Sequence, residues 1–428
     1  MPQPTGISRR AFAAGALAAP ALLQGRPSEK IGVGIIGVGV RGIELLEQVI
    51  GLENVELRAI SDLYTGHVAR AVERSKNPKI ESHRDYHGLL ARKDIDAVVI
   101  ATPDHWHARM AVDAAEAGKD IYLEKCMTRT IPEAKKVWKA VKDHKRVFQL
   151  GHGGRSSEST LKAREIIESG ALGKITYVRT WRHRNTLEAQ WRWYSSYSNF
   201  QKPADADPEH IDWERFLGPA PKRPFDASRF FHWRCYWDYG TGIAGDLVSH
   251  ELDTVNAVLR MGFPRSCVAS GGLYYWKDGR EVPDVFSAVY EYPERDLSIS
   301  FGCQFNNSHG GEGGAIFYGK DGTLELARGL RVYAEPISPR AAEIAKSFGA
   351  AAPRQGEAPR PVFEFARRGA GGGSSHMQNW IDNIRTRGRC RCNEDDALEE
   401  AVISLASVIS YQEGKKVIWN AKEQRVET

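Results

Sequence analysis

The feature that most restricts what this chain can become is Gly37-Val38-Gly39-Val40-Arg41-Gly42. It follows directly on an apolar run at 31–36 and opens onto an amphipathic stretch at 43–50. In that setting of strand, turn and helix, G-x-G-x-x-G is a dinucleotide-binding turn. Gly37 permits the tight turn, Gly39 has no side chain to block a pyrophosphate, and Gly42 lets helix and strand pack closely. The helix start offers free N–H groups and a positive dipole end to phosphate. A second apolar run, 55–61, ends at Asp62, about 20 residues past the third glycine, where a carboxylate accepts the ribose hydroxyls. The same charge repels a 2′-phosphate, so NAD is favoured over NADP.

The alternation continues. Helix is expected over 85–92, strand over 97–101, helix over 108–117, strand over 120–123, helix over 131–144 and strand over 147–150, with Thr102 to His107 capping a strand. Strands alternating with helices specify a doubly wound parallel sheet, with ligands beyond the strand C-terminal ends. Thr102, Pro103, His107, Glu124 and Lys125 all fall at such ends. After Gly151 the pattern changes to a helix over 161–169 and a strand over 174–182. A long aromatic stretch, 185–239, follows, with Trp191, Trp193, Trp213, Trp233 and Trp237. Next come a helix over 243–261, strands over 267–275, 284–291, 297–304, 315–319 and 323–327, and closing helices over 377–387 and 394–413. The fold class is therefore α/β: an N-terminal Rossmann domain, 30–151, and a C-terminal α+β domain, 152–428, with a mostly antiparallel sheet. Residues 336–375, rich in Ala, Arg, Pro and Gly, read as a mobile surface insertion.

A length of 428 residues suits two domains, and 59 Lys+Arg against 54 Asp+Glu give a net charge of +5, too mild to imply nucleic-acid binding. Ser8-Arg9-Arg10-Ala11-Phe12 and the apolar run 13–23 read as a twin-arginine signal peptide over 1–25. This predicts use of the twin-arginine export machinery, a periplasmic or otherwise exported location, and no membrane association after cleavage. Export of folded protein means that the thiols first meet a reducing cytoplasm, which argues against required disulfides. The six cysteines have no zinc-ribbon spacing. A metal site from Asp246, His250 and His183 is possible, but no spacing requires it, and none is expected.

The glycine turn, Thr102-Pro103 with His107, Glu124-Lys125 and Gly245-Asp246-Leu247-Val248-Ser249-His250, in this order, resemble the glucose–fructose oxidoreductase / inositol dehydrogenase / rhizopine catabolism (Gfo/Idh/MocA) family from about residue 31 to 419. The resemblance implies that Lys125 sits beside nicotinamide and substrate, and that Asp246 and His250 complete the catalytic group. It implies cofactor contacts from Gly37, Gly39, Val40, Arg41, Gly42, Asp62, Thr102, Pro103, His107, Glu124 and Lys125. It also implies a homodimer or homotetramer. The family usually has proline after the lysine, where this chain has Cys126, read here as a packed thiol and not a nucleophile.

Residue chemistry agrees. Asp246 and His250 are spaced i, i+4, on one helix face. A carbinol carbon is oxidised only as its hydroxyl proton leaves, which needs a base such as His, with an acidic neighbour to orient and polarise it. Arg155, His152, His183 and Arg184 are candidates to face a substrate. Trp237 and its aromatic neighbours could stack on sugar rings or serve as core. His105 reads as a loop residue.

The expected activity is NAD-dependent oxidation of a sugar or polyol hydroxyl (class EC 1.1). Because free NAD is scarce outside the cytoplasm, a tightly held nucleotide is expected. One alternative is a redox-neutral glycoside hydrolase or lyase working by oxidation, elimination and reduction. Another is a non-catalytic sugar sensor.

Overall fold

The apolar runs of the first half pair side by side, because both faces of each are apolar and need cover. The computed structural model describes residues 30–366 and 373–428, so the twin-arginine segment lies outside the described residues. Strands β1 (Ile31–Ile36), β2 (Val55–Ser61), β3 (Glu81–His83), β4 (Ala97–Ile100), β5 (Asp120–Leu123) and β6 (Phe148–Leu150) form a six-stranded sheet in the order β3-β2-β1-β4-β5-β6. All its pairings are parallel. The order reverses between β1 and β4, which opens a crevice at their C-terminal ends. The helix Ile131–Asp143 starts on a capping box, Thr130 with Glu133, and carries Pro in its first turn. The helix Asp104–Glu116 starts earlier than its apolar pattern suggests, with Pro103 at its N-cap. His107 is thus helical and not part of the capping turn. The helix Thr65–Ser75 and the three-residue β3 fall in a stretch without a strong sequence signal.

Beyond this sheet, β7 (Ile175–His183), β8 (Ser266–Gly272), β9 (Val285–Tyr292), β10 (Leu297–Gln304), β11 (Gly314–Gly319), β12 (Gly322–Leu326), β13 (Gly329–Ala334), β14 (Phe363–Ala366), β15 (Val417–Asn420) and β16 (Arg425–Glu427) build a second sheet. It has ten strands, in the order β14-β13-β12-β11-β7-β10-β9-β8-β15-β16. Only β7 and β10 pair in parallel. Burial alternates strictly along β10, so one face is core and the other is not. The helices Glu158–Glu168, Ser249–Leu259 and Glu394–Glu413 cover the core face. Within 336–375, the stretch read as a mobile surface insertion, the described residues contain the helix Ala341–Ser347 and edge strand β14. Phe348 packs on Phe363 with ring centroids 5.1 Å apart, giving the stretch an apolar anchor.

The chain does not divide cleanly at 151/152. The helix Gly373–Thr386 returns to the first sheet, where Met377, Trp380, Ile381 and Ile384 join the core around β1. Trp380 meets Tyr122 edge-on at 5.7 Å. On the same helix His376 is buried and bonds Leu150 O through Nε2 (2.8 Å) and Ser156 Oγ through Nδ1 (2.9 Å), a pattern that suits the neutral ring. Burial pulls its pKa down to about 4. An unfolded imidazole titrates near 6.5, so between about pH 4 and 6.5 the unfolded state binds more protons and stability falls as pH drops. Denaturant unfolding should therefore show a loss of about 3 kcal/mol from this residue on going from pH 7 to pH 4. His376→Gln should show a shallower loss over that range, and an identical slope would exclude this origin.

Candidate active site

The glycine turn is shaped by close backbone approach. Gly37 has φ +85°, and a Cβ on it would lie 2.7 Å from Ala101 O. A Cβ on Gly42 would lie 2.0 Å from Gly37 O. At Gly39 the nearest atom to a Cβ, His67 Cε1, is 3.5 Å away, so a side chain there would occupy the crevice itself and not strike the backbone. Gly39 is the N-cap of the helix Val40–Ile50, and no side chain caps that end. Its free N–H groups fit a pyrophosphate. Asp62 Oδ2 accepts from Val38 N (2.8 Å), and Oδ1 accepts from Tyr64 N (3.0 Å) and faces His67 Nδ1 (3.1 Å). Burial opposes its ionisation, but His67 and the two backbone donors outweigh burial and hold the pKa below the usual carboxylate value. A fixed carboxylate therefore lines the crevice where a ribose would lie.

Thr102, Pro103, Glu124 and Lys125 border the same cleft, as do Gly37, Gly39, Val40 and Arg41. Glu124 Oε1 accepts from Arg41 Nε (2.8 Å), which ties the end of β5 to the first turn of the phosphate-facing helix. Burial disfavours the Arg41 cation, but Glu124 more than offsets it, and the pKa rises. His107 does not reach the cleft. It is fully buried between Cys126 O (Nδ1, 2.7 Å) and Thr102 O (Nε2, 2.9 Å), where it clamps the ends of β4 and β5 together. It shapes the site and does not line it, a correction to its reading as a cofactor contact. Cys126 is buried, with Sγ at 3.0 Å from Asp104 Oδ2 and 3.1 Å from Thr241 Oγ1. Burial first, then Asp104, pushes its pKa well up, so it is a packed thiol. The Lys125–Cys126 peptide bond is cis.

Lys125 Nζ donates to Asp246 O (2.9 Å) and to Asp246 Oδ1. Arg234 Nε reaches the same Oδ1 at 3.2 Å, and Trp191 Nε1 donates to Oδ2 at 2.9 Å. Burial opposes the Asp246 carboxylate, but Lys125 and then Arg234 hold its pKa far below the usual range. Asp246 makes no hydrogen bond to His250, contrary to the expectation that it orients and polarises that ring. The reason is competition: two cationic groups and an indole N–H already use both oxygens. The local geometry also differs from a plain helix, because Ala244–Val248 is a π turn before the α-helix begins at Ser249. Among the described residues nothing hydrogen-bonds the His250 ring, which packs edge-on against His152 at 5.5 Å. Burial, then the charges of Lys125 and Arg182, drive the His250 pKa well below its ordinary value, so the ring is neutral at pH 7.

Other candidates move elsewhere. Arg155 is buried in a structural ion cluster, with Nε on Asp253 Oδ1 (2.8 Å) and Nη1 on Asp396 Oδ1 (3.0 Å). Trp237 Nε1 bonds Glu281 O (3.2 Å), and its ring lies 6.2 Å from Tyr411, away from the cleft. His183 ends β7 outside the nucleotide cleft, with Nδ1 buried and unpartnered. His105 Nε2 is 2.7 Å from Phe216 O, on a helix and not in a loop. The aromatic stretch supplies the cleft wall through Trp193, Tyr197, Trp233 and Arg234. Arg234 and Trp191 had no sequence signal beyond aromatic density, because each acts through a distant carboxylate.

Three family models match the chain: an oxidoreductase family NAD-binding Rossmann fold over 31–152, the oxidoreductase family C-terminal alpha/beta domain over 157–262 and, overlapping it, the GFO/IDH/MocA C-terminal domain over 213–325. The chain belongs to the Gfo/Idh/MocA oxidoreductase family. Its cofactor is NAD, held by the Rossmann domain of that family. An alpha-N-acetylgalactosaminidase of Shewanella oneidensis is 35% identical over 156 residues, 35% of this chain and 34% of that protein. A levoglucosan dehydrogenase of Pseudarthrobacter phenanthrenivorans is 36% identical over 141 residues, 32% of this chain and 36% of that one. The match thus spans about a third of the length of these curated relatives. Levoglucosan dehydrogenase in complex with NADH and levoglucosan superposes with a TM-score of 0.67 at 22% identity, covering 91% of this chain and 99% of that one. At that identity the likeness concerns the fold.

For this Gfo/Idh/MocA chain, Asp62 sets a nucleotide test. Asp62→Ala should weaken NAD binding by about tenfold, the worth of one charge-assisted hydrogen bond, and should narrow discrimination against NADP. Titrating both nucleotides into the apoprotein checks this, and unchanged discrimination would contradict the assignment.

Proposed function

We propose that this protein oxidises a hydroxyl group of a sugar or polyol, with Lys125, Asp246 and His250 handling the proton. The observation that carries this reading is Lys125 Nζ, fixed by Asp246 O and Oδ1 at the β5 end of the nucleotide cleft, with a neutral, unbonded imidazole on the following helix. NAD, when bound, supplies the two-electron acceptor for the carbinol carbon. Lys125 Nζ retains donor capacity toward the substrate oxygen while Asp246 holds it in place. His250 has a free lone pair to accept the hydroxyl proton, and its low pKa keeps that lone pair available at neutral pH. Arg234 and Trp191 keep the Asp246 carboxylate turned toward Lys125 and not toward His250.

A redox-neutral cycle is the second reading, supported by similarity to an alpha-N-acetylgalactosaminidase. There the same groups would take up and return the protons of an oxidation, an elimination and a reduction. Export through the twin-arginine signal belongs to the proposal, since a folded chain leaves with its nucleotide in place. The redox-neutral cycle returns the hydride to its own substrate, whereas the net oxidation turns over only when a second, carbonyl-bearing sugar takes the hydride and a proton back from the held NADH and restores NAD.

The test uses purified protein never given nucleotide. About one NAD per chain should be released on denaturation. Sugars should change the absorbance at 340 nm under the first reading, whereas glycosides should release aglycone with no net change under the second. Lys125→Met should lower kcat by about 10³-fold, the scale of one positioned proton-handling group, with NAD retained. The acid limb of kcat should lie below the ordinary imidazole range, because burial and the charges of Lys125 and Arg182 lower the His250 pKa, and it should disappear in His250→Asn. Unchanged turnover in Lys125→Met would overturn the role given to Lys125, and sugar binding with no turnover of sugars or glycosides would overturn both readings and leave the sensor.

A further inference from the structure

Charge at the substrate end of the site does not balance. Lys125 and Arg234 share the single carboxylate of Asp246. Arg182 is paired with Glu251 through Nε (2.7 Å) and Nη2 (2.6 Å). Arg184, two residues along the same strand direction, lies on the same side as Arg182. Arg182 bonds Glu251, the residue after His250, and the helix Ser249–Leu259 packs on β7, so the strand face carrying Arg182 and Arg184 is turned toward the helix that bears His250. Arg184 nevertheless has no carboxylate at ion-pair distance among the described residues, and its Nε is buried without a hydrogen-bond partner. Glu312, which also acts on it, is exposed and does not reach it. Neighbouring His183 also has a buried, unpartnered Nδ1. Burial and the adjacent Arg182 both disfavour the Arg184 cation.

A guanidinium whose Nε is buried without a partner is costly, and a ligand that completes it removes that cost. A neutral sugar would supply hydroxyl oxygens but no countercharge. A carboxylate supplies one negative charge and two coplanar oxygens, the geometry that a guanidinium binds through two parallel N–H groups. We propose that the substrate of this site is a sugar acid and that Arg184, with no acidic partner of its own, receives its carboxylate. The proposal rests on the reading of Lys125 and His250 as the reacting end. The reacting hydroxyl would then lie at Lys125, with the carboxylate toward the β7 end.

The experiment uses the NAD-loaded protein and compares glucuronate, galacturonate and mannuronate, each beside its methyl ester, with glucose 6-phosphate as a dianionic control. Binding is read by calorimetry and reaction by absorbance at 340 nm and product release. At least one uronate should bind tenfold or more tightly than its ester. Arg184→Met, checked for NAD content and melting temperature, should erase that preference, and Arg184→Lys should restore part of it. The proposal is overturned if no acid outcompetes its ester, if only the phosphate ester binds, or if Arg184→Met keeps the preference. The two readings fail separately. Arg184-dependent binding of a uronate without any turnover would remove the reaction and keep the carboxylate site. Lys125-dependent turnover of neutral sugars alone, indifferent to Arg184→Met, would do the reverse.

Discussion

The buried carboxylate of Asp246 is the point on which the site depends. Lys125 reaches it from the end of β5, Arg234 and Trp191 from the aromatic stretch, and its own backbone belongs to the π turn that starts the central helix of the second domain. Three remote parts of the chain thus meet on two oxygen atoms. A buried charge of this kind is tolerated only when its partners are well placed. The price of that arrangement is met by the packing around it, and removing the Asp246 carboxylate would leave two cations without a partner.

Packing explains how the two domains hold that geometry. The helix Glu394–Glu413 lies against both β8 and the helix Ile131–Asp143, so it belongs to both cores. The helix Gly373–Thr386 carries Trp380 into the first sheet. Between these elements Arg155 joins Asp253 to Asp396, and Arg387 reaches Asp120. These contacts restrict relative movement of the two halves where the cleft passes between them. The Trp-rich stretch closes the outer wall, with Trp191 fully buried and seated edge-on against Phe305 at 4.9 Å.

Much of the site was legible in the chain because its chemistry is local. The glycine turn with Asp62 needs only strand, turn and helix in sequence, and all three occur where the residues place them. Lys125 was legible as a cleft residue from its strand-end position, and its role beside the nicotinamide only from the family resemblance. His107 was misjudged because a histidine at a strand end looks the same whether it faces a ligand or bridges two carbonyls, and only the distance to Cys126 O separates these cases. Arg155 and Trp237 were misjudged for a related reason: their partners, Asp253, Asp396 and Glu281, are far away in sequence. The helix Ala341–Ser347 and β14 escaped notice because small residues, Pro and Gly mask a weak apolar pattern that makes sense only against β13.

By itself the sequence determined most of the order of elements, the parallel sheet and the phosphate-binding turn. These follow from periodicity, glycine sterics and short spacings, which act within a few residues. Tertiary structure alone decided which groups share a charge: Asp246 with Lys125 and not His250, Arg182 with Glu251, and Arg184 with no carboxylate among the described residues. Ion pairing depends on distance and burial in three dimensions, and neither is encoded at any one position of the chain.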